Sequence, residues 1–169
     1  VMTSKSGLVT VTGGKWTTYR AMAEDVLQEC FEQRLLPARA GGVTVHMPLV
    51  GAPKPAQVKH RLNAAQGEHI YGTEAAAVHS LPGADKLLAE GLSEAMVRFA
   101  ARHEYARTVE DVLARRSRLL FLDAAEAARA APAAAAVLSS ELGTGHDTAL
   151  PAFQALAQSY IQHGLSAPA

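Results

Sequence analysis

The chain has 169 residues, enough for one ordinary domain, or for one domain and part of another. Hydrophobic residues make up 49% of it but aromatic residues only 5%, which predicts a core of closely packed, alanine-rich helices. The 16 basic residues balance the 16 acidic ones, which argues against a nucleic-acid-binding module, and the single cysteine excludes an internal disulfide framework.

The N-terminal stretch has the β-branched alternation of a strand over residues 8–12, which Gly13 and Gly14 close. It lacks the continuous apolar segment of a signal peptide, and no run of roughly 18 apolar residues predicts a transmembrane helix. A solitary strand cannot provide hydrogen-bond partners for its own backbone amide and carbonyl groups. We therefore expect its pairing edge to come from another copy or from the sheet of a larger domain.

An amphipathic helix follows the glycines directly, because apolar side chains recur there with the 3.6-residue period. They are Tyr19, Met22, Ala23, Val26, Leu27, Cys30 and Phe31. The Pro- and Gly-rich segment 37–55 predicts an irregular crossing, with a domain boundary near residues 36–50.

Short helices are predicted beyond this crossing, with Asp123 and Asp147 as N-caps and Gly143 as a C-cap. Their ranges are 56–65, 68–80, 84–90, 93–106, 108–120, 124–131, 133–142 and 148–163. The predicted fold is therefore mainly α: a compact bundle of short helices, preceded by one leftover strand and a long amphipathic helix.

The connection between the strand and the first helix is the first candidate site. It differs from a triphosphate-binding loop, since Val9 stands where such a loop has its first glycine and Trp16 where it has Ser or Thr. The turn still exposes amides at the positive end of a helix dipole, and Lys15 adds a positive charge. Such a turn suits an anion, a phosphate or an electron-rich ring carbonyl, although a simple tight turn with a solvated lysine explains the same residues.

Residues 103–123 are the second candidate region, with Arg115, Arg116 and Arg118 close together. Guanidinium groups suit carboxylates and phosphates, but the acidic neighbours of these arginines predict ion pairs within the domain. The pair His103-Glu104 begins like a helical zinc-protease motif, yet Arg107 stands where the second ligand belongs. We predict no metal site.

Both regions resemble FAD-dependent glycerol-3-phosphate dehydrogenases. The signature near the end of that family's flavin domain is similar to TGGKWTTYRAMAED, at residues 12–25. The characteristic stretch of its C-terminal helical domain is similar to HEYARTVEDVLARRSRLLFLD, at residues 103–123. The two stretches occur in the family's order with a Pro-rich crossing between them, so the resemblance covers essentially the whole chain.

The resemblance implies a division of the chain. Residues 1–36 would be the C-terminal edge of an FAD-binding domain, 37–55 the crossing, 56–164 the helical C-terminal domain and 165–169 a frayed tail. The full enzyme would oxidise sn-glycerol 3-phosphate to dihydroxyacetone phosphate through FAD and pass the electrons to quinone, or to oxygen in the oxidases. It would be a peripheral protein on the cytoplasmic face of the bacterial inner membrane, and often a homodimer.

The resemblance also implies which residues form the site. Gly13, Gly14, Lys15, Trp16 and Thr17 would lie against the flavin ring, and Lys15 would also hold substrate. The family's GxGxxG fingerprint is absent from these 169 residues. We therefore expect an incomplete catalytic set, and neither stable FAD binding nor turnover by this chain alone. The alternative is a non-catalytic helical module that docks on the flavin domain, on a second copy or on a membrane surface.

Overall fold

The computed structural model describes residues 1–39, 42–54, 64 and 66–165, with side chains to Gln162. The predicted helix over 56–65 and the predicted frayed tail lie outside these residues, except for Ala64 and Leu165. The chain divides into two compact units, Val1–Leu49 and Val50–Ala169.

The first unit begins with a hairpin, and here the prediction of an unpaired strand was wrong. Strand β1 (Met2–Thr3) pairs antiparallel with β2 (Val9–Thr10), with Met2 opposite Thr10 and Thr3 opposite Val9. The Ser4 amide donates to the Leu8 carbonyl at 2.9 Å and the Gly7 amide to the Ser4 carbonyl at 3.0 Å. Gly7 takes a φ of +85°, which glycine adopts without steric cost, so the reversal closes within a few residues.

The predicted amphipathic helix of the first unit is confirmed as α1 (Tyr19–Glu32). One turn of 3-10 helix, Trp16–Thr18, leads directly into it. After its end, Arg34 takes a left-handed φ of +56° and the Leu35 amide returns to the Cys30 carbonyl at 2.9 Å. A short 3-10 turn, Thr44–His46, lies within the segment predicted as an irregular crossing.

Among the described residues of the second unit, the first helical segment is kinked. A 3-10 stretch, Glu68–Glu74, precedes α2 (Ala75–His79), where one helix over 68–80 was predicted. The chain breaks at Gly72, whose φ is +57° and ψ −119°. A Cβ there would lie 1.9 Å from the Gly51 carbonyl oxygen, so this close approach requires glycine.

The prediction of a helix over 84–90 was wrong, because a small hairpin occupies this segment. Strand β3 (Leu87–Ala89) pairs antiparallel with β4 (Leu92–Ser93). The turn between them contains Gly91, with a φ of +71° and the Gln66 carbonyl oxygen 2.4 Å from the position of a Cβ. This backbone conformation strongly favours glycine and reverses the chain.

Four α-helices complete the second unit. They are α3 (Glu94–His103), α4 (Leu119–Leu122), α5 (Ala124–Leu142) and α6 (Leu150–Leu165). The predicted helix over 108–120 is instead a π-helix, Asp111–Arg116, followed by a left-handed Arg118 and α4. The two helices predicted on either side of Pro132 are one continuous helix, α5. Pro132 lies inside this helix, on its exposed side.

The core lies between α3, the π-helix, α5 and α6. Its largest fully buried side chains include Phe153, Leu113, Leu120 and Leu138. Small side chains such as Ala127, Ala131 and Ala134 fill the contact face of α5, which brings helix axes close together. Two predicted caps are confirmed, since the Asp123 carboxylate accepts from the Glu126 amide at 2.8 Å and Gly143 ends α5 with a φ of +104°. The prediction of Asp147 as an N-cap was wrong, because α6 begins at Leu150 and Asp147 accepts from the amide of Ala149, before the helix. The mainly α fold is confirmed.

Candidate functional site

The five residues predicted as the site form the connection between β2 and α1. Gly13 and Gly14 have φ values of +75° and +103°, and Lys15 is extended before the helix starts at Trp16. A Cβ on Gly14 would lie 2.2 Å from the Met22 sulfur, whereas a Cβ on Gly13 would meet nothing within 4 Å. Both positions therefore favour glycine, because their φ values are positive, and open space remains beside Gly13.

The turn is held by a residue that the sequence interpretation did not include. The Lys15 amide donates to the Thr18 hydroxyl oxygen at 3.3 Å, and that hydroxyl donates to the Lys15 carbonyl at 3.0 Å. The Thr18 amide also donates to this carbonyl, at 2.9 Å. Thr18 stands three residues after the N-cap, where a hydroxyl can bond back to the cap, and this spacing was the available signal.

An open pocket of about 390 Å³ lies beside the turn. Gly13, Gly14, Lys15 and Trp16 line it, and Thr17 does not. Its remaining wall consists of Val11, Tyr19, Met22, Ala23 and Val26, which come from the end of the hairpin and from one face of α1. The volume falls within the roughly 300–1,000 Å³ typical of small-molecule sites.

Two aromatic rings stand at this pocket with little cover. The Trp16 side chain is 88% exposed, and its ring centroid lies 5.6 Å from that of Tyr19 at an interplanar angle of 34°. An exposed tryptophan next to apolar walls provides a flat surface on which another planar ring can stack.

The charges on the neighbouring part of α1 are compensated locally. The Arg20 guanidinium lies 2.8 Å from the Glu24 carboxylate, which also accepts a hydrogen bond from the Thr44 hydroxyl. The Thr44 hydrogen bond, followed by that from Arg20, lowers the pKa of Glu24. Arg20 is therefore neutralised by its own helix, and Lys15 is the cationic side chain that lines the pocket.

The second candidate region contains the ion pairs that were predicted. Arg115 lies 2.6 Å from Glu110 and 2.9 Å from Asp111, and Arg116 lies 3.3 Å from Glu104. Burial opposes ionisation of Asp111, but the hydrogen bonds from the Arg107 and Thr108 amides outweigh it and lower its pKa. Among the described residues, no three His, Cys, Asp or Glu side chains are grouped closely enough to hold a metal ion.

Residues 42–149 match the model of the family described as the C-terminal domain of alpha-glycerophosphate oxidase. The chain belongs to this family. The matched residues include the π-helix and its arginines but not the Gly13–Lys15 turn. No solved structure matches the chain.

Curated relatives of this family member are named glycerol-3-phosphate dehydrogenases. A probable mitochondrial one from Dictyostelium discoideum is 36% identical across 76% of this chain, and one from Arabidopsis thaliana is 36% identical across 83%. Glycerol-3-phosphate dehydrogenase 1 of Mycobacterium tuberculosis is 38% identical across 70%. The chain spans 23%, 27% and 24% of these three relatives, about a quarter of their length. Within the described residues, no helix is long and apolar enough to cross a bilayer.

Proposed function

We propose that this chain is the C-terminal part of an enzyme that oxidises sn-glycerol 3-phosphate to dihydroxyacetone phosphate. Membership of the oxidase C-terminal family and the names of the relatives support this substrate. The proposal includes FAD as the hydride acceptor, quinone as the final electron acceptor and a peripheral position on the inner face of a bacterial membrane. The part of the enzyme that holds most of FAD would lie among the residues that the relatives have in addition.

The observation that carries the proposal is the pocket beside the glycine turn. Its apolar wall of Val11, Met22 and Val26 fits one face of a fused ring, and Gly13 leaves room for a ligand to approach the backbone. The first amides of a helix have no partner inside the helix, so those of Trp16 and Thr17 can donate to a ring carbonyl. These properties suit the isoalloxazine ring of FAD.

Lys15 has the clearest chemical role in this proposal. FAD, when bound, supplies the acceptor for the hydride that leaves the substrate carbon. The ammonium group of Lys15 attracts the substrate phosphate dianion and stabilises negative charge at the ring edge. The Thr18 hydroxyl fixes the Lys15 backbone through the two bonds described above, so that the lysine side chain starts from a defined position of the main chain.

The chain alone should neither retain FAD nor turn over substrate. The hairpin strands β1 and β2 have two residues each and cannot replace the parallel sheet that positions a dinucleotide pyrophosphate. A titration of the purified 169-residue chain with FAD, followed by fluorescence and visible absorbance, tests this point. Stoichiometric binding comparable to that of the full-length enzyme would contradict it.

The role of Lys15 is tested by the substitution Lys15→Ala in the full-length enzyme. Loss of a charge-assisted contact costs about 1.5–3 kcal/mol, so we expect kcat/KM for glycerol 3-phosphate to fall at least tenfold. Lys5→Ala is the matched control, because Lys5 lies on the exposed hairpin turn and outside the pocket lining. Equal, small effects of both substitutions would favour the simple turn with a solvated lysine.

A non-catalytic docking module is the second candidate function. It is favoured by the extent of the family match, which covers the helical region and leaves out the glycine turn. In that case, substitutions in the region of Arg115 and Arg116 would affect assembly and stability, while Lys15→Ala would leave kcat and KM unchanged.

A further inference from the structure

Met22 covers one side of the glycine turn and leaves the other side open. A Cβ on Gly14 would overlap both the sulfur and the terminal methyl carbon of Met22. A Cβ on Gly13 would meet nothing within 4 Å among the described residues. Met22 also lines the pocket beside the turn. A ligand in this pocket can therefore approach the backbone at Gly13, whereas the Met22 side chain occupies the space beside Gly14.

A hydroxyl group connects Met22 to Lys15. Met22 is half-buried, and the Thr18 hydroxyl oxygen lies 3.6 Å from its sulfur, within reach of a weak hydrogen bond. The same oxygen bonds the Lys15 amide at 3.3 Å and the Lys15 carbonyl at 3.0 Å. The hydroxyl has only one hydrogen, and the carbonyl is the nearer and stronger acceptor. The sulfur contact therefore directs the Met22 side chain without releasing the Lys15 backbone.

A thioether has properties that suit contact with a planar ring. Its unbranched, polarisable side chain adapts to the shape of a neighbour, and sulfur makes favourable contacts with aromatic rings at distances of about 5 Å, often at the ring edge. Val26 follows Met22 by one helical turn and lines the same pocket. Met22 therefore extends an apolar wall toward the turn, with its sulfur and methyl group at the end nearest Gly14.

We propose that Met22 is a positioning residue for the flavin ring: its thioether excludes the ring from the Gly14 side of the turn and contacts it beside Gly13. This inference rests on the proposed function. The ring must be aligned with a substrate that Lys15 attracts by its phosphate, and a misplacement of roughly 1 Å can reduce the rate about 100-fold. If Met22 only packed beneath the turn, it would stabilise the turn without touching the ligand.

Oxidation by peroxide reports whether the ligand covers Met22. Hydrogen peroxide transfers one oxygen atom to a thioether and leaves as water, so mass spectrometry of the peptide that contains Met22 measures the sulfoxide. In the full-length enzyme, this oxidation should be at least about fivefold slower with FAD bound than after FAD removal, since it depends on exposure. Met47 is the internal control, because it is 62% exposed and does not line the pocket. The proposal is overturned if Met22 reacts equally in both forms, or if FAD protects Met47 to the same extent.

Two substitutions separate positioning of the ring from packing of the turn. Met22→Ala empties the space beside Gly14, so in the FAD-loaded full-length enzyme kcat should fall about tenfold while KM changes less than about twofold, and the visible absorption bands of the flavin should shift. Met22→Leu refills that space and should regain most of the lost kcat and the original spectrum. Met47→Ala is the matched control and should alter neither. A Met22→Ala enzyme that loses Tm or FAD content, but keeps kcat and spectrum per bound FAD, would overturn the proposal.

Failure of the proposed function gives a different result. A full-length protein in which FAD protects Met22, but which does not oxidise glycerol 3-phosphate, would refute the substrate assignment and leave Met22 as a positioning residue. An enzyme that oxidises glycerol 3-phosphate with Met22 unprotected would do the reverse. A full-length protein that binds no FAD would refute both.

Discussion

The two units of this chain differ most in what they bury. Every fully buried hydrophobic side chain among the described residues belongs to Val50–Ala169, between Val78 and Ala157 along the sequence. In Val1–Leu49, no described residue is buried, and even the apolar face of α1 remains partly accessible. The second unit has the core of an independent domain, whereas the first has the local structure of a domain without its core.

The exposed side chains of the first unit show what this difference means. Large apolar groups such as Met2, Leu8, Trp16 and Leu27 are between 48% and 88% exposed. Soluble domains rarely present so many neighbouring apolar side chains to water unless another surface covers them. The first unit therefore contains the glycine turn and an exposed apolar surface, while the second unit contains the buried core.

The largest expected effect is on the core of the second unit. Phe153 is 1% exposed, and its truncation in Phe153→Ala should reduce the free energy of unfolding by about 3–5 kcal/mol. Urea denaturation followed by circular dichroism measures this loss. Trp16→Ala in the first unit is the control, and should leave the main transition unchanged because that side chain is 88% exposed. Equal losses from both substitutions would contradict the assignment of the stability to the buried core of the second unit.

The sequence predicts the parts of both units that depend on periodicity and caps. Helix α1 follows from its apolar repeat, and the start of α5 follows from Asp123, because a carboxylate there accepts from the helix amides. These signals are local, and the structure needs no distant contact to satisfy them.

The elements that the sequence does not predict depend on distant or geometric constraints. Alanine and leucine in segment 84–90 favour a helix, but Gly91 packs against the Gln66 carbonyl and imposes a hairpin. Pro132 normally ends a helix, yet the packing of the small residues on either side of it keeps α5 continuous. The π-helix has no sequence signature that distinguishes it from an α-helix.

The candidate site shows the same division. The glycines and Lys15 are evident from the residue pattern, since a strand followed by Gly-Gly-Lys and a helix predicts an anion-binding turn. The contributions of Thr18, Met22 and Val11 depend on how the turn folds back onto α1. Their proposed role toward a flavin stays a prediction.

An intermediate effect on the free energy of unfolding is expected at Glu141. Each unit contains a carboxylate that bonds two other side chains, and the two carboxylates can be compared. Glu141 in the second unit is 9% exposed and bonds Arg98 and Arg102, each at 2.6 Å. Glu141→Gln removes the anion shared by the two arginines and leaves Arg98 with its longer contact to Glu94, at 3.6 Å. It should reduce the free energy of unfolding by about 2 kcal/mol. Glu24→Gln is the matched substitution in the first unit, where Glu24 is 32% exposed, and we expect no measurable shift of the urea midpoint.

The Glu141→Gln variant also has a pH signature. The hydrogen bond from Arg102 and, against the opposing effect of burial, that from Arg98 lower the pKa of Glu141 below its ordinary value of 4.5. A carboxyl whose pKa is lower in the folded state stabilises the protein above its unfolded pKa, and this contribution is lost as the pH falls through the folded pKa. Wild-type stability should therefore drop more steeply below about pH 4.5 than that of Glu141→Gln. Parallel pH profiles for the two proteins would contradict the assignment.

The smallest effect concerns the helix caps, which also differ between the units. The Asp123 side chain caps α5 by accepting from the Glu126 amide at 2.8 Å, whereas no side-chain hydrogen bond caps α1 at Thr18. Asp123→Ala should reduce the free energy of unfolding by about 1 kcal/mol, because it exposes an unpaired amide and removes a negative charge from the positive end of the helix dipole. Asp123→Asn keeps an acceptor oxygen and should retain most of the stability, which the urea midpoint of the three proteins can resolve. If Asn were as destabilising as Ala, the charge and not the hydrogen bond would be the main contribution of Asp123 to the start of α5.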